Sequence, residues 1–276
     1  MKKWSLGLLA LLFTVVLSAC GSSDEESGDS NEIKVGATSI PHAEILEEAK
    51  PLLEEEGITL TIDTYQDYIL PNKALDDGDI DANYFQTIPY MELQEKDNGY
   101  DFVNLGGIHI EPMGIYSQKY DDIKDVEDGT TLVMSRSISD HGRILALLER
   151  EGLIKLDENV EKVDAQVDDI VENPKNIKFD SGVDAANLPE TYKREEEVLV
   201  AINTNYAIEA GLDPQEDSLI LESPDSPYVN VIAANSDDED NEALKKLVEV
   251  LHSDEIQTFI EEEYDGAVVP VKEDSE

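Results

Sequence analysis

Apolar residues along this chain follow two periods that alternate. Residues 33–37 form a short apolar run that predicts a strand. Thr38-Ser39-Ile40 follows as a loop. Then Ala43, Ile45, Leu46, Ala49, Leu52 and Leu53 recur at helical spacing, so a helix is predicted from Pro41. Pro51 is expected to kink its last turn and Gly57 to end it. Residues 58–62 alternate as a strand. A short helix is predicted over 67–72, a strand over 80–85, and a helix from Pro89-Tyr90 to about Asp97. Strands and helices in this order imply a parallel or mixed sheet with helices on both faces. Ligands of such sheets sit at the carboxyl ends of strands, here the loops after Ala37, Thr64 and Asn83.

Residues 103–117, with Gly106-Gly107 and Pro112-Met113-Gly114, read as a crossing into a second unit. Residues 131–134 predict a buried strand. It runs into Ser139-Asp140-His141-Gly142-Arg143 and the apolar run 144–148, where Ser139 or Asp140 is expected to cap a helix. Arg143 falls in the first turn, where the helix dipole disfavours a cation. An anion held between Arg143 and the free N–H groups would resolve that conflict. So would pairing with one of the many acids of the chain. Residues 156–165 and 170–179, the latter broken by Asn173-Pro174, continue the unit. Residues 198–202 are a strong strand, and Asn203 opens a helix ending at Gly211. Residues 226–233 form a strand that returns the chain, and helices near 239–252 and 253–263 pack back on the first unit. The expected division is 32–112 with 236–276 as one lobe and 113–235 as the other. No internal repeat is visible.

The N-terminus changes the picture. Lys2 and Lys3 precede an apolar stretch, 6–17, too short to span a membrane comfortably. It ends in Leu17-Ser18-Ala19-Cys20-Gly21, which resembles a lipobox. Residues 1–19 are read as a signal peptide and Cys20 as a lipidated residue. Lipid chains bind a bilayer at ~0.8 kcal/mol per buried CH₂, so two or three anchor a protein stably. Residues 20–31, small, polar and acidic, form a tether. The expected location is the extracytoplasmic face of the cell membrane. Cys20 is the only cysteine, which excludes internal disulfides and a cysteine-rich metal site.

The charge is −44, from 64 acidic and 20 basic residues in 276. That argues against nucleic acid and against a basic membrane-binding face. Self-repulsion of this size is relieved by salt, so a saline or alkaline habitat is expected. Chemistry is sparse: the chain has no G-x-S-x-G, C-x-x-C, H-E-x-x-H or P-loop motif. No catalytic residue, cofactor or metal is therefore assigned. The four histidines stand singly. Asp77, Asp79 and Asp81 begin like a calcium loop, but Ala82 and Ile88 stand where it needs Gly and Glu. They read as a turn, and residues 237–240 as a solvated helix start.

A small zwitterion would suit what remains. Its carboxylate needs an Arg fork and backbone donors, which Arg143 at a helix start offers. Its ammonium needs acceptors, such as Asp140, Asn203 and Asn230. Its side chain needs an apolar slot near Tyr68, Phe85 and Tyr90, and a thioether packs well on such rings. Core aromatics and asparagine helix caps would explain the same residues without a ligand.

The segments VGATSIPHAEILE (35–47), DYILPNKALDDGDIDANYFQ (67–86), Pro89-Tyr90, S-D-x-x-R (139–143), GLIKL (152–156), VENPKNIK (171–178), VLVAINTNYA (198–207) and SPYVNVI (226–232) together resemble the methionine-binding NlpA lipoproteins of ABC importers. The likeness covers essentially the whole mature body. It implies an α/β, two-lobed type II periplasmic-binding-protein-like fold, each lobe a mixed sheet flanked by helices, with the ligand between them. It implies capture of L-methionine or a close relative for a permease served by a separate ATPase. Arg143 becomes the carboxylate partner, Asn203 and Asn230 the polar end, and Tyr68, Phe85 and Tyr90 the side-chain slot. Two positions depart from the family: Thr87 stands where it usually has His, and Asp140 where it has an amide. Both fall in the pocket. A binder of another amino acid or of a short Met-containing peptide is the alternative; a surface hydrolase or an adhesive lipoprotein lies further off.

Overall fold

The structure, a computed structural model, describes residues 31–272. The signal segment, Cys20 and nearly all of the tether lie outside the described residues. In chain order the first part contains β1 (Glu32–Thr38), α1 (Glu44–Glu55), β2 (Thr59–Tyr65), α2 (Leu70–Asp76), β3 (Ala82–Thr87), α3 (Ile88–Asn98) and β4 (Phe102–Ile110). The second contains β5 (Gly114–Tyr116), β6 (Thr131–Ser135), α4 (His141–Arg150), β7 (Lys155–Leu156), β8 (Ile170–Glu172), β9 (Lys178–Val183), α5 (Leu188–Arg194), β10 (Leu199–Ile202), α6 (Thr204–Glu209), α7 (Pro214–Asp217) and β11 (Ile220–Leu221). The chain then returns through β12 (Val229–Asn235), α8 (Glu242–Leu251), α9 (Asp254–Tyr264) and β13 (Val269–Pro270).

Two mixed sheets and a small antiparallel pair, β7-β8, result. The first has the order β13-β4-β12-β3-β1-β2, with β1 parallel to β2 and β3, and β12 antiparallel to β3 and β4. The second has the order β11-β5-β10-β6-β9, with β10, β6 and β9 mutually parallel along the row. The expectation ended the second lobe at residue 235. Residues 229–235 instead belong with the first sheet, because β12 hydrogen-bonds on both edges to β3 and β4. The return crossing therefore lies between β11 and β12.

Period-two alternation explains why each sheet is covered twice. In β12, Ile232 and Ala234 join the core beneath α1, α8 and α9, while Val231 and Ala233 face Leu75, Met91 and Phe102 on the other side. In β10, Leu199 and Ala201 pack with Leu145 and Leu148 of α4, whereas Val200 and Ile202 meet Leu188 and Tyr206. Helix α8 buries Leu244, Leu247, Val248 and Leu251 along one stripe. Truncating Leu247 to alanine would cost ~2–5 kcal/mol.

Element starts show the differences from expectation. Helix α1 begins at Glu44, after an irregular turn over Ser39–Ala43 in which Ile40 is extended, and it runs through Pro51 to Glu55. Helix α2 begins at Leu70, because Asp67 Oδ1 accepts the Ile69 and Leu70 amides and holds residues 67–69 as its capping loop. Ahead of α4, Ile138–Asp140 form a 3₁₀ turn; neither Ser139 nor Asp140 caps the helix with its side chain. Gly142 is required there, since a Cβ would collide with the Lys162 and Val163 carbonyls. Residues 156–165 are largely irregular, and the acidic run 237–240 precedes α8 rather than opening it, the cap being Asn241.

Candidate ligand-binding cleft between the two lobes

Strand ends aim one set of side chains from each sheet at a common gap. Tyr68 comes from the loop after β2, Phe85 and Thr87 from the end of β3, and Tyr90 from the first turn of α3. Opposite them, Asp140 and Arg143 come from the start of α4, and Asn203 and Thr204 from the end of β10. Asn230 comes from the start of β12, and Glu111 from the crossing between β4 and β5. Together with Gln86 these residues line one cleft. All eight residues singled out from the sequence are brought together. Gln86, Glu111 and Thr204 are additions to that set.

The first-lobe wall is a set of rings. Tyr68, Phe85 and Tyr90 lie pairwise with centroids 5.9–6.0 Å apart, in tilted or edge arrangements. Tyr90 donates its hydroxyl to the Tyr68 carbonyl at 2.8 Å, which fixes the loop. Tyr68 in turn reaches across the gap, donating to Asn205 Oδ1 at 2.5 Å and packing on the Tyr206 ring. Behind the wall, Asn72, Asn83 and Gln86 form a closed amide network at 2.8–2.9 Å. It ties α2 to β3, so the loop and the strand that carry the rings are held in one register. Thr87 is half-buried and makes no side-chain cap on α3.

The second-lobe wall is charged. Arg143 is 5 % exposed. Its Nε and Nη2 donate to Glu222 Oε2, its Nη2 also donates to the Glu111 carbonyl at 2.8 Å, and Tyr228 lies flat against it with the ring centroid 4.5 Å from Cζ. Sequence reasoning left open whether an external anion or a protein acid resolves the misplaced cation; a protein acid, Glu222, is in contact. Burial opposes the charge on Arg143, but Glu222 and Asp140 outweigh it and raise the pKa further. Nη1, with two of the five guanidinium N–H groups, makes no hydrogen bond among the described residues. Asn203 donates Nδ2 toward Asp140 Oδ2 at 3.5 Å, while its own Oδ1 is buried without a partner. Burial pushes the Asp140 carboxyl up, against the pull of Arg143 and Asn203.

Beneath the cleft lies a cluster that the sequence did not reveal. Glu111 Oε1 is 3.2 Å from His42 Nε2 and 2.9 Å from His109 Nε2, and Oε2 accepts the Asn205 amide at 3.0 Å. Thr38 Oγ1 lies 2.7 Å from His42 Nδ1, and the Tyr84 hydroxyl meets His109 Nδ1. The outer hydroxyls donate to Nδ1, which puts the proton on Nε2 in both rings, and each ring donates to Glu111. Burial lowers the pKa of His42 to about 4 and of His109 to about 3, so both are neutral. The three groups have metal-like spacing, within 4.8 Å, but every ligating atom is already spent in this network. His42 Nε2 also approaches Asn230 Oδ1 at 3.2 Å and so positions that side chain at the cleft. One signal was available: His109 and Glu111, two apart at the end of a strand, share a face.

A buried guanidinium, an unpartnered amide oxygen on Asn203 and a set of rings in one cleft fit a small zwitterion with an apolar tail. Comparison with known proteins points the same way. The family model described as NlpA lipoprotein matches residues 33–272. The methionine-binding lipoprotein MetQ of Bacillus subtilis (strain 168) is 48% identical over 275 residues, 99% of this chain and 100% of that protein. Among solved structures, a nutrient binding protein from Burkholderia cenocepacia bound to methionine is 39% identical, with a TM-score of 0.81 over 86% of this chain and 99% of that one. An ABC transporter periplasmic substrate-binding protein from Coxiella burnetii is 38% identical, with a TM-score of 0.81 over 87% of this chain and 100% of that one.

Proposed function

This chain belongs to the NlpA lipoprotein family, and on that footing we propose that it captures methionine outside the cytoplasm and delivers it to an ABC importer. The observation that carries the reading is the pairing of walls in one cleft: rings from the first lobe, and a guanidinium with amide and acid groups from the second. The ligand carboxylate meets Arg143 Nη1, its polar end lies between Asn203 and Asn230, and its thioether rests on Tyr68, Phe85 and Tyr90. Sulfur–ring contacts of this kind contribute ~0.3–1.5 kcal/mol each. A ligand touching both walls favours the closed arrangement by its differential affinity for it, and the closed body is what the permease reads. The protein works by binding; a separate ATPase supplies the hydrolysis.

Cys20, once lipidated, holds the body on the extracytoplasmic face of the membrane. Among the described residues no helix is long and apolar enough to cross a membrane. Changing Cys20 to serine is expected to release the protein into the medium and to abolish labelling by a palmitate analogue.

The deciding experiment is mass spectrometry of the small molecule that co-purifies with the protein, followed by calorimetry with both methionine enantiomers, other amino acids and Met-containing dipeptides. Recovery of intact methionine with micromolar or tighter binding, roughly −8 kcal/mol or beyond, is expected. Tighter binding of another amino acid or of a dipeptide would replace the substrate, and a chemically altered ligand would replace the whole reading.

A further inference from the structure

Count the buried charges of the cleft and one is left over. Glu222 receives the Arg143 guanidinium, the Met113 amide at 3.1 Å and the Ser226 hydroxyl at 3.0 Å. Glu111 receives two imidazole N–H groups and the Asn205 amide. Asp140 is 8 % exposed and has only Asn203 Nδ2 at 3.5 Å, the outer limit of a hydrogen bond, with a weaker contribution from Ser135. The nearest cation, Arg143, is committed to Glu222. A buried carboxylate so thinly solvated calls for a counter-ion. The acceptor beside it, Asn203 Oδ1, is itself buried and unpartnered.

We propose that Asp140 is the counter-ion of the ligand's α-ammonium, with Asn203 Oδ1 as the second acceptor, and that this cleft therefore selects its ligand by the protonated amine as well as by the acid. The inference rests on the amino-acid reading of the cleft given above. Two carboxylates, Glu111 and Asp140, line the cleft beside one guanidinium, whose partner Glu222 lies outside the lining, and both buried imidazoles beneath it are neutral. A ligand carboxylate thus meets an Arg143 already paired with Glu222, whereas a ligand ammonium meets a carboxylate that makes no ion-pair contact among the described residues. An amide at position 140 could accept a hydrogen bond but would supply no charge. The ligand class that follows is free α-amino acids and their carboxyl-blocked esters and amides; N-acylated and deaminated analogues are excluded.

The groups facing Asp140 define its pH behaviour. They are Arg143 and His141 on its own helix, Asn203 at the start of α6, and the Tyr68, Tyr90 and Tyr228 hydroxyls from the opposing elements. Burial shifts the carboxyl upward, so the ammonium loses its counter-ion as pH falls through that raised value.

The test is calorimetry on the full chain with methionine, methioninamide, N-acetylmethionine and the 2-oxo analogue of methionine, for the wild type and the near-isosteric Asp140→Asn, from pH 5 to 8. The wild type is expected to bind methionine best and methioninamide next. N-acetylmethionine and the 2-oxo acid should be ~100-fold weaker or worse, as for loss of a buried charge-assisted contact. Asp140→Asn should weaken methionine by ~10–100-fold, narrow its advantage over N-acetylmethionine and flatten the pH profile. The analogue series in the wild type stands even if the variant folds poorly. Methionine binding with N-acetylmethionine equally tight, or an Asp140→Asn protein with unchanged affinity, preference and pH profile, overturns this inference and leaves the amino-acid reading standing. A wild type that binds no member of the series overturns that reading, and this one with it.

Discussion

On the first-lobe side of the cleft, Tyr68, Phe85 and Tyr90 present neutral rings held by one another and by an amide network. On the second-lobe side, Asp140, Arg143 and Asn203 present charges and amides whose partners are all specific and few. Under the proposed function, the ring wall holds its ligand through area, which falls off gradually when a side chain changes shape. The polar wall holds it through paired charges out of water, where removing one partner strands the other. On that reading one side sets how tightly a tail is held, and the other which head group is admitted.

The comparison is broken most directly at Arg143. Arg143→Ala is expected to weaken methionine binding by ~100-fold or more, as measured by calorimetry. It also leaves Glu222 without its cation, so stability should drop by roughly 3 kcal/mol. Adding Glu222→Gln should recover the melting temperature but not the affinity; recovery of both would mean that Arg143 serves the fold alone. Next comes the ring wall. Phe85→Ala is expected to cost roughly tenfold in affinity, and Tyr68→Phe, which loses only the bond to Asn205, about fivefold. If these losses matched that of Arg143→Ala, the two walls would not differ in kind.

A third effect belongs to the cluster beneath both walls. His42 and His109 have lowered pKa values when folded, so their contribution is complete above the unfolded value near 6.5 and is lost as pH falls toward about 4 and 3. Glu111 and Asp140 are raised and work in the opposite sense, each favouring the folded state as it takes up a proton. Melting temperature should fall from pH 7 to 4.5, and His109→Gln should make that fall shallower. An unchanged slope in the variant would show that His109 is not the group that titrates. The smallest effect is expected from salt. With a net charge of −44, molar salt should screen self-repulsion by roughly 1 kcal/mol, ~2–4 °C in melting temperature.

Much of the scaffold was legible because its strands are buried on both faces and its helices carry one apolar stripe. Residues 33–37, 131–134 and 198–202 could hardly be anything but inner strands. Helix starts were less legible: Asp67 and the 3₁₀ turn before α4 shift them by a few residues through hydrogen bonds that no periodicity announces. Six of the eight cleft residues that were found are aromatic, amide or basic; Thr87 and Asp140 stood out as departures from the resembled family. Glu111 and Glu222 were missed because they are two of 64 acids, and nothing in the local pattern separates a buried carboxylate from a solvated one. His42 and His109 stand 67 positions apart in sequence, and only the sheet brings them to one oxygen.

The chain passes between the lobes twice, after β4 and before β12, and Arg143 Nη2 holds both passages at once through the Glu111 carbonyl and the Glu222 carboxylate. The side chain proposed to receive the acid group thus also ties together the two spans that join the lobes. Displacing Glu222, in the span before β12, is therefore expected to alter capture as well as stability.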